Sequence, residues 1–330
     1  MGSKQTDVLI VGAGISGMLC ATELSASGKS VSVIDKGRTV GGRMATRQVE
    51  NAQLDHGAQF FTVRDARLQA YVNGWMEAGV VREWFRHSPE DTNPDGYPRY
   101  CGVDGMTAVC RYLAKEIKVH SSQQAVELYR DLDAWVLRTQ SGAQYSAKEL
   151  VLTAPLPQSL LLLDTTGLDY AGDELAKLRA VRYQKGLAAM VLLSGPSGLP
   201  EPGGMKLQEA PLAWIADNHM KGISEHVSAV TIHADAEFSA LHWRSPDSVR
   251  GRLMLDAARP YLRSPILQYR CHRWGFTSPI NPLQQSCFRN DGLGLTLAGD
   301  AFGGPRVEGS ALSGIEAAQS IFSRVVVESV

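Results

Sequence analysis

The chain has 330 residues, enough to bury a large core and, by length, to divide into two domains. A net charge of −1 with no polybasic run argues against nucleic acid or membrane as partners and points to small molecules. Five cysteines, Cys20, Cys101, Cys110, Cys271 and Cys287, are odd in number and lack CxxC spacing. That pattern argues against a disulfide framework or a zinc site and fits a reducing, cytoplasmic setting.

The first predicted element is the strand Asp7 to Val11, too short and too close to Asp7 for a signal-peptide core. It runs into Gly12-Ala13-Gly14-Ile15-Ser16-Gly17, where a helix starts. Glycines there permit a tight turn and let backbone N–H groups approach a pyrophosphate at the helix N-terminus. A second strand, Ser30 to Ile34, delivers Asp35 and Lys36 about 20 residues later, where a carboxylate accepts hydrogen bonds from a ribose diol and disfavours a 2′-phosphate. Strand, turn, helix, strand and acid in this order predict a dinucleotide site. The fingerprint alone does not separate NAD from FAD. Two further features favour FAD: Arg38-Thr39-Val40-Gly41-Gly42-Arg43, and Leu297-Ala298-Gly299-Asp300 near the other end of the chain.

Residues 63–100 change character, with a helical period from Arg67 to Met76 and then a polar stretch from Ser88 to Pro98. Glycines around Gly102 and Gly105 precede an amphipathic helix expected to reach about Ile117. Alternating segments Gln124 to Tyr129, Ala134 to Thr139 and Gln144 to Val151 predict a β-meander. The apolar region Leu150 to Leu163 is broken by Pro155 and Pro157 and falls short of a bilayer span. Strands are expected at Leu187 to Leu193, Leu212 to Ala216 and Val227 to His233, with a helix from Pro246 to Tyr261, giving a sheet roofed by helices. Pro279 and Pro282 mark a boundary. The strand Leu293 to Ala298 then leads to Gly299-Asp300, and a helix from about Gly309 closes the chain. The expected fold class is α/β. Residues 1–62, 101–170 and 280–330 would form a discontinuous Rossmann-like FAD-binding domain, and 63–100 with 171–279 a mixed sheet and helix substrate domain.

The run Asp35 to Arg43, the segment Leu54-Asp55-His56-Gly57-Ala58-Gln59-Phe60-Phe61, and the tail Ala298-Gly299-Asp300 with Val307-Glu308-Gly309-Ser310-Ala311-Leu312-Ser313-Gly314 resemble flavin amine oxidases. Within that group the chain is most similar to the renalases, over nearly its whole length. The resemblance implies an amine-oxidase or p-hydroxybenzoate hydroxylase-like two-domain flavoprotein with noncovalent FAD. It also implies oxidation of 2- or 6-dihydro isomers of NAD(P) to NAD(P)⁺, with O2 reduced to H2O2. For the cofactor it implies a ribityl contact at Asp300, a pyrophosphate contact at Arg43, and His56, Gly57, Ala58, Gln59 and Phe60 passing the isoalloxazine. Val126 would offer its backbone to adenine, and Val307 belongs to the matching tail. Phe61 and Arg64 would face the substrate, with Tyr97, Tyr183, Gly186, Trp214 and His242 as further candidates for its pocket.

Two positions depart from the amine-oxidase pattern. Met190 stands where a strand lysine commonly holds a water near the flavin, and Arg306 replaces an aromatic residue of an amine cage. A cation at Arg306 would repel an ammonium but suit a phosphate or a carboxamide. Hydride loss from a dihydropyridine yields an aromatic pyridinium directly, so no catalytic acid or base is expected. His219, His226 and His233 recur every seven residues, but on mixed strand and loop they do not predict a metal site. The absence of a GxSxG elbow and a P-loop removes hydrolase and kinase classes. Alternatives left open are a flavin amine oxidase, a redox-neutral FAD isomerase or desaturase, and a nonenzymatic FAD-loaded nucleotide-binding protein.

Overall fold

The structure, a computed structural model, describes residues 4–87 and 95–327. Residues 88–94 of the expected polar stretch lie outside the described residues. The chain opens with β1 (Lys4–Val11), α1 (Ile15–Ala26) and β2 (Val31–Ile34), followed by the hairpin β3 (Thr46–Val49) and β4 (Ala52–Asp55). Next come α2 (Ala66–Glu77), β5 (Val81–Phe85), β6 (Arg99–Gly102), α3 (Thr107–Leu113), β7 (Lys118–His120), β8 (Ala125–Asp131), β9 (Ala134–Thr139) and β10 (Gln144–Leu152). After α4 (Leu156–Leu163) and α5 (Leu175–Arg179) run β11 (Gly186–Leu193), β12 (Gly204–Lys206), β13 (Leu212–Asp217) and β14 (Ala229–Ala234). Then follow α6 (Ala236–Leu241), α7 (Asp247–Ala258) and β15 (Ile266–Trp274), and the last elements are β16 (Phe288–Asn290), β17 (Leu295–Leu297), α8 (Asp300–Gly303) and α9 (Val307–Val327).

Contacts divide the chain into two compact units, Met1–Gly42 with Val109–Arg182 and Pro279–Val330, and Arg43–Ala108 with Tyr183–Ser278. The first unit holds an eight-stranded sheet in the order β16-β17-β10-β1-β2-β7, with β9 and β8 branching from β10 as an antiparallel meander. β1 pairs in parallel with both β2 and β10, and Val8, Leu9 and Ile10 are completely buried. A short apolar run covered on both faces is what a central parallel strand requires. The helices α1 and α9 pack closely, because Gly314 has no side chain: a Cβ there would overlap the Ser16 carbonyl.

The second unit is built on an antiparallel sheet in the order β12-β13-β14-β11-β15. Alternation along the strands sends Leu187, Ala189, Val191, Ile215, Val230 and Ile232 to one face, where Met254, Leu255 and Ala258 of α7 complete a core. The opposite face carries Met190, Leu192 and Ala229, which meet Val49, Ala52 and Leu54 of the β3–β4 hairpin. That packing is why residues 43–62, expected to belong with the FAD-binding start, fall in the second unit.

Several elements differ from expectation. The helix expected to run to Tyr261 is α at Asp247–Ala258 and tightens to a 3-10 turn at Arg259–Tyr261, where Pro260 lacks an N–H to continue the ladder. The helix α3 stops at Leu113 instead of Ile117. β15 and the β5–β6 pair depart from the expected layout, since Gln268, Arg270 and Arg273 in β15 and Arg82, Glu83 and Arg99 in the pair interrupt their apolar alternation. Among the described residues no helix is long and apolar enough to cross a membrane, and all five cysteines are unpaired.

Candidate functional site

In the first unit the strand order reverses at β1, with β2 on one side and β10 on the other. The carboxyl ends of such strands are where open α/β sheets bind ligands. Gly12 has φ +114°, and a Cβ there would lie 2.5 Å from Thr153 Oγ1 at the end of β10. A Cβ at Gly17 would overlap the Gly12 carbonyl, whereas one at Gly14 meets nothing within 4 Å. The three glycines therefore do different work: two allow close packing, and Gly14 keeps the approach to the helix end clear. Ile15 and Ser16 are buried, Ser16 Oγ has no partner, and the first turn of α1 has no acidic residue to offset the positive end of the helix.

Asp35 braces this loop. Its Oδ2 accepts the Ala13 N–H at 2.6 Å and its Oδ1 accepts the Gly37 N–H at 2.6 Å. Each carboxylate oxygen keeps a lone pair for a ribose hydroxyl. Lys36 is exposed, its Nζ donating to Gln158 Oε1 at 3.3 Å. Val126 sits at a register shift in the β8–β9 ladder, and such an irregularity leaves backbone groups outside regular pairing. Asp300 is buried at the first position of α8 after Gly299 (φ +124°), whose N–H donates to Ser313 Oγ at 2.9 Å. Val307 opens α9, and Arg306 just before it is exposed. An orphaned buried hydroxyl, an unobstructed helix N-terminus and a braced carboxylate suit the phosphates and ribose of a dinucleotide.

In the second unit the segment after β4 is laced by a buried polar network. Asp55 and Lys221 are both 0% exposed and form an ion pair at 2.6 Å. The Asp55 carboxylate also accepts from Thr46 Oγ1 at 2.5 Å and from the Met106 N–H at 2.9 Å. Its backbone N–H donates to Asn218 Oδ1 at 3.2 Å, and its carbonyl accepts from Thr231 Oγ1 at 2.9 Å and Gln59 Nε2 at 2.5 Å. Lys221 was not anticipated from sequence: a lysine before Gly222 on a polar loop reads as a surface residue, and its partner lies 166 positions away.

The next residue, His56, is buried and stacked on Trp274 with ring centroids 5.2 Å apart, while His272 meets its edge at 4.7 Å. Trp274 Nε1 donates to the His56 carbonyl at 2.8 Å. Burial, reinforced by His272, lowers the His56 imidazole to about 3, and burial lowers His233 to about 4. Gly57 is required because a Cβ would overlap the Arg43 carbonyl, which also accepts the Ala58 N–H at 2.9 Å. Arg43 donates to the Thr277 carbonyl at 3.1 Å and lies 6.0 Å from the Tyr183 ring centroid, and Gly186 has no room for a Cβ beside Thr277.

The expected pocket residues fall in four places. Trp214 packs on Phe60 at 5.4 Å and Trp84 at 6.5 Å, with its Nε1 buried and unpartnered. Tyr183 and Gly186 lie by Arg43 and Thr277. Phe61 is buried against Tyr100, while Arg64 sits 4.7 Å from the centroid of the Tyr97 ring and pairs with Asp95 at 3.4 Å. His242 caps α6 and packs on Phe238, which joins the helix-covered core and so lies on the other face of the sheet from Trp214. Met190, 1% exposed, packs against Val49, Ala52, Leu54, Leu192 and Ala229, with Thr231 and Arg270 opposite it on the neighbouring strands. His219 bonds the Ser224 carbonyl in a turn, His226 is exposed, and His233 is on β14, so the three do not converge.

A family model described as an NAD(P)-binding Rossmann-like domain matches residues 10–75. Putrescine oxidase of Kocuria rosea is 30% identical over 150 residues, covering 44% of this chain and 29% of that protein. Hydroxyneurosporene desaturase of Rubrivivax gelatinosus is 44% identical over 57 residues, covering 17% of this chain and 11% of that protein. The chain thus spans less than a third of the length of these relatives. Two solved structures, a proposed protoporphyrinogen oxidase from Exiguobacterium sp. 255-15 and a triple mutant of a putrescine oxidase, each give a TM-score of 0.73. Both matches cover 98% of this chain and 100% of the other, at 12% and 13% identity. The fold is therefore α/β, with a Rossmann-like NAD(P)-binding domain, and it matches these two solved structures over nearly the whole chain.

Proposed function

We propose that this chain is an FAD-dependent oxidoreductase whose substrates are the 2- or 6-dihydro isomers of NAD(P), oxidised to NAD(P)⁺ with O2 as the electron acceptor and H2O2 as the second product. Gly12, Gly14, Ile15, Ser16 and Gly17 would hold the pyrophosphate, Asp35 with Lys36 the adenosine ribose, Val126 the adenine, and Asp300 with Val307 the flavin end. Arg43 and the His56–Phe60 segment are assigned to the same cofactor on the resemblance to flavin amine oxidases. When bound, FAD supplies a hydride acceptor and a route for two electrons to oxygen. The donor loses a hydride and becomes an aromatic pyridinium, and one further proton from solvent completes H2O2.

The observation that carries this proposal is Met190. Every side chain of β11 is apolar or absent, and Met190 is buried against Val49, Ala52, Leu54, Leu192 and Ala229. Two buried histidines of the second unit are poor proton acceptors. His56 and His233 are held far below the usual imidazole range, and the Lys221 ammonium is bonded to Asp55. Amine oxidation removes a proton along with the hydride equivalent, whereas a dihydropyridine needs only orientation, with reacting atoms about 3–3.5 Å apart. Phe61, Trp214 and Tyr183 are the proposed walls and Arg64 a polar anchor, with Tyr97 beside it. Arg306, exposed before α9, suits an anionic substrate better than an ammonium.

A second reading, amine oxidation, is favoured by the identity to Kocuria rosea putrescine oxidase. An oxygen electrode separates the two. Oxygen uptake with matching H2O2 formation on dihydro-NAD(P) isomers and none on putrescine supports the proposal; the reverse pattern replaces it with the amine oxidase. Flavin binding without uptake on either substrate would overturn it in favour of a redox-neutral isomerase or desaturase, or a nonenzymatic FAD-loaded protein.

A further inference from the structure

We infer that the buried Lys221–Asp55 pair is a charge lock that fixes the backbone from His56 to Gln59, which makes Lys221 a positioning residue. The inference rests on the assignment of that segment to the flavin, proposed above.

A lysine ammonium removed from water is tolerated only when its three donors are met. Here Nζ is bonded to Asp55 Oδ2 at 2.6 Å and to the Gln59 carbonyl, and it lies 4.9 Å from the centroid of the Trp84 ring. Two of these partners are the first residue and the fifth residue of one short segment. A single cation therefore pins both ends of the turn that carries His56, Gly57 and Ala58, and Gln59 Nε2 ties the same ends together by donating to the Asp55 carbonyl. The lysine is itself immobilised. Its N–H donates to the Asp217 carbonyl at 2.9 Å, and its own carbonyl accepts from Arg82. The Asp217 carboxylate takes the N–H groups of His219 and Met220 at 2.8 and 3.2 Å, rigidifying the loop that delivers it.

Hydrocarbon side chains could fill such a site with equal or better stability, because two desolvated charges recover little net energy. What hydrocarbon cannot do is fix a carbonyl and a carboxylate at one point. Position, more than stability, is the property the pair confers on this segment.

The test compares Lys221→Met with the double variant Asp55→Asn/Lys221→Met, each as the whole protein with its flavin. The single variant leaves a lone buried carboxylate and should melt well below wild type. The double variant removes both charges and should recover most of the loss. If the pair positions the segment, the double variant will still show amide exchange in peptides spanning 55–60 faster by about tenfold or more, a measure of local opening. It will also show a shifted visible flavin spectrum. A double variant with wild-type exchange and a wild-type flavin spectrum would overturn the inference and leave the pair as packing alone. If wild-type protein holds no flavin, the cofactor assignment fails, and the exchange comparison still decides whether the segment is locked.

Discussion

Replacing Asp35 by Ala removes one carboxylate that braces the glycine loop. Its two acceptors hold the Ala13 and Gly37 N–H groups, each at 2.6 Å. Ala13 is fully buried, so its N–H has no water to turn to, whereas Gly37 is half-buried and recovers one. A lost charge-assisted bond to a buried donor costs roughly 1.5–3 kcal/mol. The same carboxylate is proposed to hold the ribose, so FAD retention should weaken by a similar amount, about 10- to 150-fold in Kd. Asp35→Asn is the sharper variant. It keeps the volume but offers one acceptor in place of two and turns an NH2 toward a backbone donor, so most of the loss should remain. Both Kd values follow from titrating apoprotein with FAD and reading the bound visible absorbance, with melting curves alongside. Unchanged Kd and unchanged melting in Asp35→Ala would refute both the brace and the ribose assignment.

Other outcomes can be stated briefly. Because burial holds His56 at about 3, below an unfolded value of about 6.5, the unfolded chain takes up a proton that the fold refuses. Stability from this residue is complete above about pH 6.5 and falls by up to about 1.4 kcal/mol per pH unit as pH drops toward 4, and denaturant melts of wild type and His56→Gln should show the slope and its flattening. Met190→Lys should not speed flavin reduction by a dihydro isomer or confer putrescine turnover. An ammonium buried among Val49, Leu54, Leu192 and Ala229, with the Arg270 cation across the strand, should lower the melting temperature. FAD should be released by acid precipitation, since Pro305 to Ser310 contains no cysteine for attachment; flavin remaining on the precipitate would show a covalent link.

The parts of this molecule legible in its sequence are those whose physics is local. A strand, three glycines and an acid some 20 residues on declare the cradle, because each acts within one β-α-β turn. The apolar runs of β11, β13 and β14 were visible for the same reason. β15 was not, since Gln268, Arg270 and Arg273 mask its alternation and only pairing with β11 along its length makes it a strand. The Asp55–Lys221 pair lay beyond reach: nothing in either local sequence distinguishes a buried ion pair from a solvated one. Aromatic type says nothing about which face of a sheet a residue serves, so the position of His242 beside Phe238, apart from Trp214, was not legible.

Anaerobic titration of the flavin tests the central claim most directly. Purified protein is mixed under argon with each dihydro-NAD(P) isomer and with putrescine while the visible flavin band is followed. Rapid bleaching by at least one dihydro isomer, with none by putrescine, is the predicted result. Bleaching by putrescine, with the flavin remaining oxidised in both dihydro isomers, would contradict it and establish the chain as an amine oxidase.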